Sequence, residues 1–347
     1  MTCTGHTANG DRVVSKLKGL GRVALLAGLT AASVPIDPAS ANDSSASLDA
    51  GGLRLTFNPN IRVESEDLYL SRAQVRVHYR FHNVSTQDIS TLVAFPLPVM
   101  EIGEGGNYVL QGKDPINIMD FQVTVDGQRV EPSVEVKATR FGVDVTQVLK
   151  RFGIPLTMRD GDDLHARLDE LPPDARRELE RYGVVDWTST FGANNKPLAN
   201  VHWNTQITYY WFQKFPAGRP IEVTHQYRPV PRQFFFGNDQ ASSAELQTAY
   251  CMDPGFVRGA RSLVQQTKQS SLWGYELKYV LTTAGNWLGP IQKFRLTVDK
   301  GAADALVSLC ADGLKRDGPK TFVQTRDNYS PGEDLKVLFV APFDPGR

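Results

Sequence analysis

Residues 75–82 read VRVHYRFH, and this stretch has the clearest strand pattern in the chain. Apolar side chains alternate with charged or ionisable ones: Val75, Val77, Tyr79 and Phe81 against Arg76, His78, Arg80 and His82. Successive side chains of a β-strand point to opposite faces, so this period of two places the first set in a core and the second in solvent. The stretch therefore predicts a half-buried strand.

Similar patterns continue on both sides of this strand. Alternation or short apolar runs occur in residues 53–57, 68–70, 91–97, 121–125, 129–136, 203–212, 221–227, 273–283, 291–298, 321–325 and 335–340. Asp126-Gly127 between two of these runs is typical of a tight hairpin turn. The helix and strand alternation of a parallel nucleotide-binding sheet is not found in the sequence. We predict a mainly β fold of two antiparallel β-sandwich-like domains with a small α-helical insert.

The helical insert follows the first set of strands. Apolar residues recur at helical spacing in residues 144–152, 162–171 and 174–182. Pro173 suits the first turn of the last helix, and Gly183 suits a left-handed stop after it. The insert is expected either to act as a lid or docking element or to cover an open sheet edge.

The start of the sequence has the pattern of an export signal. Basic residues precede the apolar run 23–34, and Ala39 and Ala41 supply the small residues that a signal peptidase requires. We therefore expect a periplasmic or secreted mature protein that begins at Asn42. No later run approaches the roughly 20 apolar residues of a membrane span, so no transmembrane segment is expected in the mature chain.

The length of the mature chain predicts more than one domain. Removing residues 1–41 leaves 306 of 347 residues, more than one core usually supports. We predict an N-terminal sandwich over 42–141, a helical insert and linker over 142–198 and a C-terminal sandwich over 199–347; one long sandwich with insertions is the alternative.

The signal holds 4 of 38 basic and 2 of 38 acidic residues, so 34 basic and 36 acidic residues remain in the mature chain. This near-neutral balance gives no electrostatic reason to expect nucleic-acid binding.

The mature chain keeps two of the three cysteines, Cys251 and Cys310. A single pair of thiols in an oxidising compartment predicts one disulfide bond. Closing so long a loop stabilises a fold by roughly 4 kcal/mol in the chain-entropy model. A free or redox-active thiol is the alternative, but the Cys-x-x-Cys spacing of redox sites is missing.

Several stretches resemble a family of exported bacterial proteins catalogued as domain of unknown function 4424. They are 64–71 (ESEDLYLS), 91–98 (TLVAFPLP), 211–218 (WFQKFPAG), 282–301 (TTAGNWLGPIQKFRLTVDKG) and 308–310 (SLC). The resemblance implies a signal-bearing, periplasmic or secreted, mainly β protein. It implies no activity and transfers no functional residue.

Two charged groups are candidates for a surface site. The strand face with Arg76, His78, Arg80 and His82 could hold an anionic group, or it could be a solvated face paired with acids on neighbouring strands. Glu64, Glu66 and Asp67, expected in a turn, could supply the two carboxylates of a glycoside hydrolase or oxygen ligands for calcium. An ordinary solvated acidic turn is the alternative.

Aromatic residues form the third candidate group. Alternation places Trp203, Tyr209 and Trp211 in a core, which leaves Tyr210 and Phe212 as a sugar-stacking or protein-binding surface. Trp287 is expected in a turn between strands, where it plugs the core or, if exposed, takes part in recognition.

The sequence contains no nucleophile elbow, phosphate loop or zinc helix, and no cofactor or metal site is expected. Our interpretation is a non-catalytic binding or structural module of the cell envelope, with an envelope protein or polysaccharide as partner. A hydrolase of envelope polysaccharide or peptide that uses the acidic residues is the alternative.

Overall fold

Strands dominate the structure, a computed structural model that describes residues 42–103, 114, 117–157, 164–189, 198–268 and 270–343. The strands are β1 (Ser44–Asp49), β2 (Gly52–Thr56), β3 (Ile61–Ser71), β4 (Val75–Asn83), β5 (Ile89–Pro96), β6 (Met100–Gly103), β7 (Gln122–Val125), β8 (Gln128–Val130), β9 (Ser133–Arg140), β10 (Val143–Asp144), β11 (Val185–Ser189), β12 (Leu198–Phe215), β13 (Pro220–Tyr227), β14 (Arg232–Phe236), β15 (Leu272–Tyr279), β16 (Ile291–Asp299), β17 (Leu306–Leu309), β18 (Lys315–Asp317), β19 (Thr321–Tyr329) and β20 (Leu335–Ala341). The mainly β class predicted from the alternating pattern is confirmed.

The helices fall into two groups. The insert contains α1 (Thr146–Arg151), α2 (Leu164–Asp169) and α3 (Pro173–Arg181), close to the predicted positions. Gly183 follows α3 with a φ of +64°, the left-handed stop that the sequence predicts. A second group comprises α4 (Asn238–Ser242), α5 (Ala244–Tyr250) and α6 (Pro254–Thr267).

The described residues form three sheets. The first has the order β10-β9-β12-β5-β1-β2, with β11 and β6 also paired to the long strand β12. The second has the order β18-β19-β16-β3-β4-β13-β7-β8, and the third has the order β14-β15-β20-β17. Within the second sheet, β3 pairs in parallel with β16, whereas its pairing with β4 is antiparallel.

The first two sheets face each other across the main core. The inward residues of β4 alternate as predicted, since Val75, Val77, Tyr79 and Phe81 are all at most 1% exposed. From the opposite sheet, Trp203, Tyr209 and Phe95 enter the same apolar cluster. The third sheet contributes Val337 and Phe339 to this core. The alternate β20 residues Leu338 and Val340 pack instead with α4–α6 in a second cluster.

The division of the chain at residues 141 and 199 stays a prediction. The sheets themselves combine strands from both sides of these boundaries, since β3 pairs with β16 and β5 pairs with β12. The main core likewise contains residues from Ile61 to Phe339. Within the described ranges, no helix is long and apolar enough to cross a membrane.

A bulge in β3 changes which of its side chains enter the core. The register with β4 shifts between Val63, which pairs with Phe81, and Ser65, which pairs with Arg80. One extra residue on a strand reverses the inward and outward faces beyond it. Ile61 and Val63 therefore point inward before the bulge, and Glu66, Leu68 and Leu70 point inward after it. The acidic segment predicted as a turn is thus part of a strand, and that prediction was wrong.

Candidate functional site

The solvent face of β3, β4 and β13 carries a network of ion pairs. The Glu64 carboxylate accepts hydrogen bonds from Arg80 Nε and pairs with His82 Nδ1, both at 2.7 Å. Arg80 also reaches Glu222 at 2.9 Å, and His78 Nε2 lies 2.9 Å from the same carboxylate. Burial works to raise the pKa of Glu64, but the bonds from Arg80 and His82 outweigh it and hold the pKa below its usual value.

The fourth cation of this face has a different neighbour. The Arg76 guanidinium lies 5.3 Å from the centroid of the Tyr69 ring, an arrangement suited to a cation–π contact. Three of the four basic side chains of this face, His78, Arg80 and His82, are thus paired with the two carboxylates Glu64 and Glu222. An incoming anion would have to displace these carboxylates, so the face is poorly suited to anion binding.

The opposite face of the same strands encloses a polar cluster inside the main core. Its members are almost completely shielded from solvent, each at most 1% exposed: Asn42, Asp43, Glu66, Tyr79, His225 and Tyr279. The Tyr79 hydroxyl donates to Asn42 Oδ1 and lies 3.2 Å from the Tyr279 hydroxyl. We call these six residues the inner polar cluster.

Asp43 and His225 form a buried pair at hydrogen-bond distance within this cluster. His225 Nε2 lies 2.9 Å from both carboxylate oxygens of Asp43. Rings of Tyr79, Phe95, Phe121 and Trp211 surround the imidazole. Burial raises the pKa of Asp43, and the attraction and hydrogen bond of His225 offset only part of that effect.

Glu66 is the least satisfied member of the inner polar cluster. Asn42 Nδ2 donates to Glu66 Oε2 at 3.4 Å, whereas Oε1 has no hydrogen-bond partner among the described residues. The pKa of Glu66 is raised to about 8, mainly by burial; the hydrogen bond from Asn42 lowers the pKa and the nearby charge of Asp43 raises it. A buried carboxylate with one orphaned oxygen is costly unless a donor or cation completes it.

The three predicted acids do not converge on a common cleft. Glu64 lies on the solvent face, Glu66 in the core and Asp67 on an exposed part of β3. A glycoside hydrolase needs two carboxylates on either side of one bond. Within the described part of the chain, no three acidic, histidine or cysteine side chains form a group that could hold a metal ion.

The predicted aromatic residues are also divided between environments. Phe212 is 80% exposed, whereas Tyr210 is partly buried and packs against the cluster of Ala46, Leu92 and Ala94. Trp287 is buried at the end of the core, where its Nε1 donates to the Asp43 carbonyl at 2.8 Å. Tyr210 and Phe212 therefore do not form one open surface, and Trp287 supports the inner polar cluster.

A separate aromatic surface lies at one end of the third sheet. Phe235 of β14 is 65% exposed and stacks on Trp273 of β15, with ring centroids 4.6 Å apart and planes 20° apart. Phe343 adds a third ring 5.7 Å from Trp273. Ser270 and Ser271 line the same depression. We call the three rings the aromatic platform.

Sequence reasoning missed both the inner polar cluster and the aromatic platform. His225 occupies an inward position of an alternating strand, between Val223 and Tyr227, which is a usable signal for a buried polar group. In the run Phe234-Phe235-Phe236, alternation requires at least one ring to face away from its neighbours. No local signal links Asn42 and Asp43 to partners some 180 to 240 residues away.

The predicted cysteine pair lies beside the second apolar cluster. Cys251, directly after α5, and Cys310, directly after β17, have their sulfur atoms 2.07 Å apart, at disulfide distance. The bridge connects the helical group to the edge strand of the third sheet.

Comparisons with known proteins place the chain in a family without an assigned activity. No curated protein matches it. A solved structure of a candidate nutrient-binding protein from Legionella pneumophila shares 14% sequence identity, covering 87% of this chain and 70% of its own, with a TM-score of 0.42. The model of the family described as a domain of unknown function, DUF4424, matches residues 41–338. The chain therefore belongs to the DUF4424 family.

Proposed function

We propose that the protein is an exported, non-catalytic binding module of the cell envelope and that the aromatic platform binds polysaccharide. The observation that carries this proposal is the stacking of the exposed Phe235 ring on the partly buried Trp273 ring. Sugar rings present C–H faces that pack on aromatic rings, and their hydroxyls need nearby polar partners. Ser270 and Ser271 supply such partners at the rim of the platform.

The platform also has the rigidity that a binding surface requires. Phe235 and Trp273 are directly paired residues of adjacent antiparallel strands, so the sheet itself fixes the spacing of their rings. A preformed surface loses less conformational freedom on binding than a mobile loop does. The hydrolase alternative lacks comparable support, because Glu64, Glu66 and Asp67 lie in three different environments.

Export is the second part of the proposal. It rests on the basic and apolar segments before Ala39 and Ala41, and the bridge between Cys251 and Cys310 is compatible with an oxidising compartment. We expect mass spectrometry of protein processed in a bacterial host to give Asn42 as the first residue. Retention of earlier residues would contradict the cleavage site.

Binding is tested by co-sedimentation with purified peptidoglycan sacculi, the probe for an envelope polysaccharide. Phe235→Ala removes the outer ring of the stacked pair and is expected to weaken binding about tenfold, the equivalent of roughly 1.4 kcal/mol. Phe212→Ala removes an exposed ring from β12 of the first sheet, whereas the platform lies on the third sheet. This variant serves as the matched control and should bind as wild type does. Equal binding of both variants, or no binding by wild type, would contradict the polysaccharide proposal.

A further inference from the structure

The first described residue of the chain lies in the interior of the protein. Asn42 is 1% exposed, and its carbonyl accepts a hydrogen bond from Thr283 Oγ1 at 3.0 Å. Its side chain contacts both Tyr79 and Glu66. The predicted signal-peptidase site is the peptide bond just before it, between Ala41 and Asn42.

Glu66 lacks a cation within reach among the described residues. The ionisable groups that influence it are Asp43, Tyr79, Tyr279 and Tyr329, and none of them is a cation. His225, the nearest basic side chain of the inner polar cluster, already pairs with both oxygens of Asp43. Glu66 Oε1 is therefore a buried acceptor without a donor.

The backbone nitrogen of Asn42 belongs to the residue whose side chain contacts Glu66. Asn42 Nδ2 lies 3.4 Å from Glu66 Oε2. The side chain of an asparagine separates its amide nitrogen from its own backbone nitrogen by only three bonded carbon atoms. The backbone nitrogen and the carboxylate of Glu66 therefore belong to the same small region of the inner polar cluster.

We propose that the α-ammonium group that cleavage creates on Asn42 pairs with the buried carboxylate of Glu66. Water hydrolyses the peptide bond, leaving a carboxylate on Ala41 and an ammonium group on Asn42, and Glu66 ionises by releasing its proton to solvent. The inference rests on the export and cleavage proposed above. Glu66 then acts as a receptor for the new N-terminus, and removal of the signal completes the inner polar cluster.

The chemistry explains why a carboxylate is placed at this position of the core. An isolated carboxylate in an apolar interior is strongly unfavourable, whereas one that is paired and fully hydrogen-bonded is tolerated. An α-ammonium group has three donors, enough for Glu66 Oε1 and a further acceptor. Before cleavage the same nitrogen is an amide with one donor and no charge, so the pair exists only in processed protein.

The first test measures the pKa of the Asn42 α-amine. The full chain with its own signal is exported from a bacterial host, the processed protein is isolated, and the rate of amine acylation by an activated ester is followed against pH by mass spectrometry. An ordinary α-amine has a pKa of about 7.7–8.0. We expect a pKa at least one unit above that range in wild type and a return to or below it in Glu66→Gln.

The second test does not depend on folding of the Glu66 variant. Gly-Ser-Gly-Ser inserted between Ala41 and Asn42 moves the new terminus away from Glu66, and its amine should acylate at least tenfold faster than that of wild type at pH 7. Processing at a residue other than Asn42 would overturn both the export site and the pairing. Processing at Asn42 with an ordinary α-amine pKa in wild type would overturn the pairing alone, and the sacculus binding of the platform is unaffected by either result.

Discussion

Glu64 and Glu66 are two residues apart on β3, yet one lies in a solvent-exposed network and the other in the core. The extra residue at the bulge separates them, because it reverses the face of every side chain that follows. Glu64 has a lowered pKa and Glu66 a raised one. The same functional group thus meets opposite electrostatic conditions within about 7 Å of strand.

The two faces also differ in how their charges are satisfied. On the solvent face, Arg80 bridges Glu64 and Glu222, and water can replace any partner that is lost. In the inner polar cluster, each group has few partners and no access to water. We therefore expect substitutions inside to cost much more stability than those outside.

The largest effect is expected from Asp43→Ala. Removal of the carboxylate leaves the fully buried His225 without its Nε2 partner, and breaking a buried pair costs about 3–5 kcal/mol. Urea unfolding followed by circular dichroism measures the loss. Asp88→Ala, which removes an exposed partner of Lys214, is the control and should unfold close to wild type. Similar urea midpoints for the two variants would show that the buried pair contributes no more to the free energy of unfolding than the exposed one.

The second-largest effect is a loss of folding stability with rising pH that is caused by Glu66. The pKa of Glu66 is about 8 in the folded state against 4.5 ordinarily, so the folded state holds the proton more tightly. In the chain with Gly-Ser-Gly-Ser before Asn42, stability should therefore fall as pH rises from about 4.5 towards 8, by on the order of 3 kcal/mol at pH 7. Glu66→Gln in that chain should remove most of the fall.

The other titratable groups near Glu66 determine the pH dependence of stability that remains after the Glu66→Gln substitution. Asp43 also has a raised pKa and adds a slope of the same sign, whereas the pKa values of Tyr79 and Tyr279 lie far above this pH range. Comparing the inserted chain with and without the Glu66→Gln substitution at each pH isolates the one carboxylate. A slope unchanged by the substitution would mean that Glu66 does not titrate in this range.

Glu64 is expected to make a smaller contribution to the pH dependence of folding stability, and its sign is opposite to that of Glu66. Its pKa is lowered in the folded state, so its contribution is present above about pH 4.5 and is lost as pH falls through the folded-state pKa. Glu64→Gln should reduce stability at pH 7 by no more than about 1 kcal/mol, because the network is partly exposed. Urea midpoints of wild type and variant should converge below pH 4, and divergence there would refute this assignment.

The smallest effect is expected from Asp67→Ala. Asp67 is exposed on β3, and surface substitutions of this kind usually change stability by less than about 0.5 kcal/mol. Thermal unfolding at pH 7 measures it. A loss above about 1 kcal/mol would show that this acid has a structural role on the outer face.

Sequence patterns predicted the parts of the fold that depend on local periodicity. The alternation in β4 and β12, the Asp126-Gly127 turn with both residues at positive φ, and the stop at Gly183 all follow from neighbouring residues. The bulge at Glu64 left no such signal, since one inserted residue among polar neighbours does not disturb a visible pattern. That single feature decides which acid is buried.

The inner polar cluster was beyond sequence reasoning for a related reason. Asp43 meets His225 across 182 positions of sequence, and Tyr79 meets Tyr279 across 200. Such contacts depend on the order of strands in the sheets, which periodicity does not encode. The aromatic platform was missed because Phe235 and Trp273 belong to different strands, although their register is simple once β14 and β15 are paired.

The parallel pairing of β3 with β16 places a timing requirement on assembly. Leu68 pairs in register with Leu296, so β3 is an unpaired edge of the second sheet until β16 (Ile291–Asp299) has been synthesised. Contacts between such distant residues slow folding, because a long loop must close before they form. The second sheet of this protein is consequently completed late in synthesis, after most of the 347 residues are available.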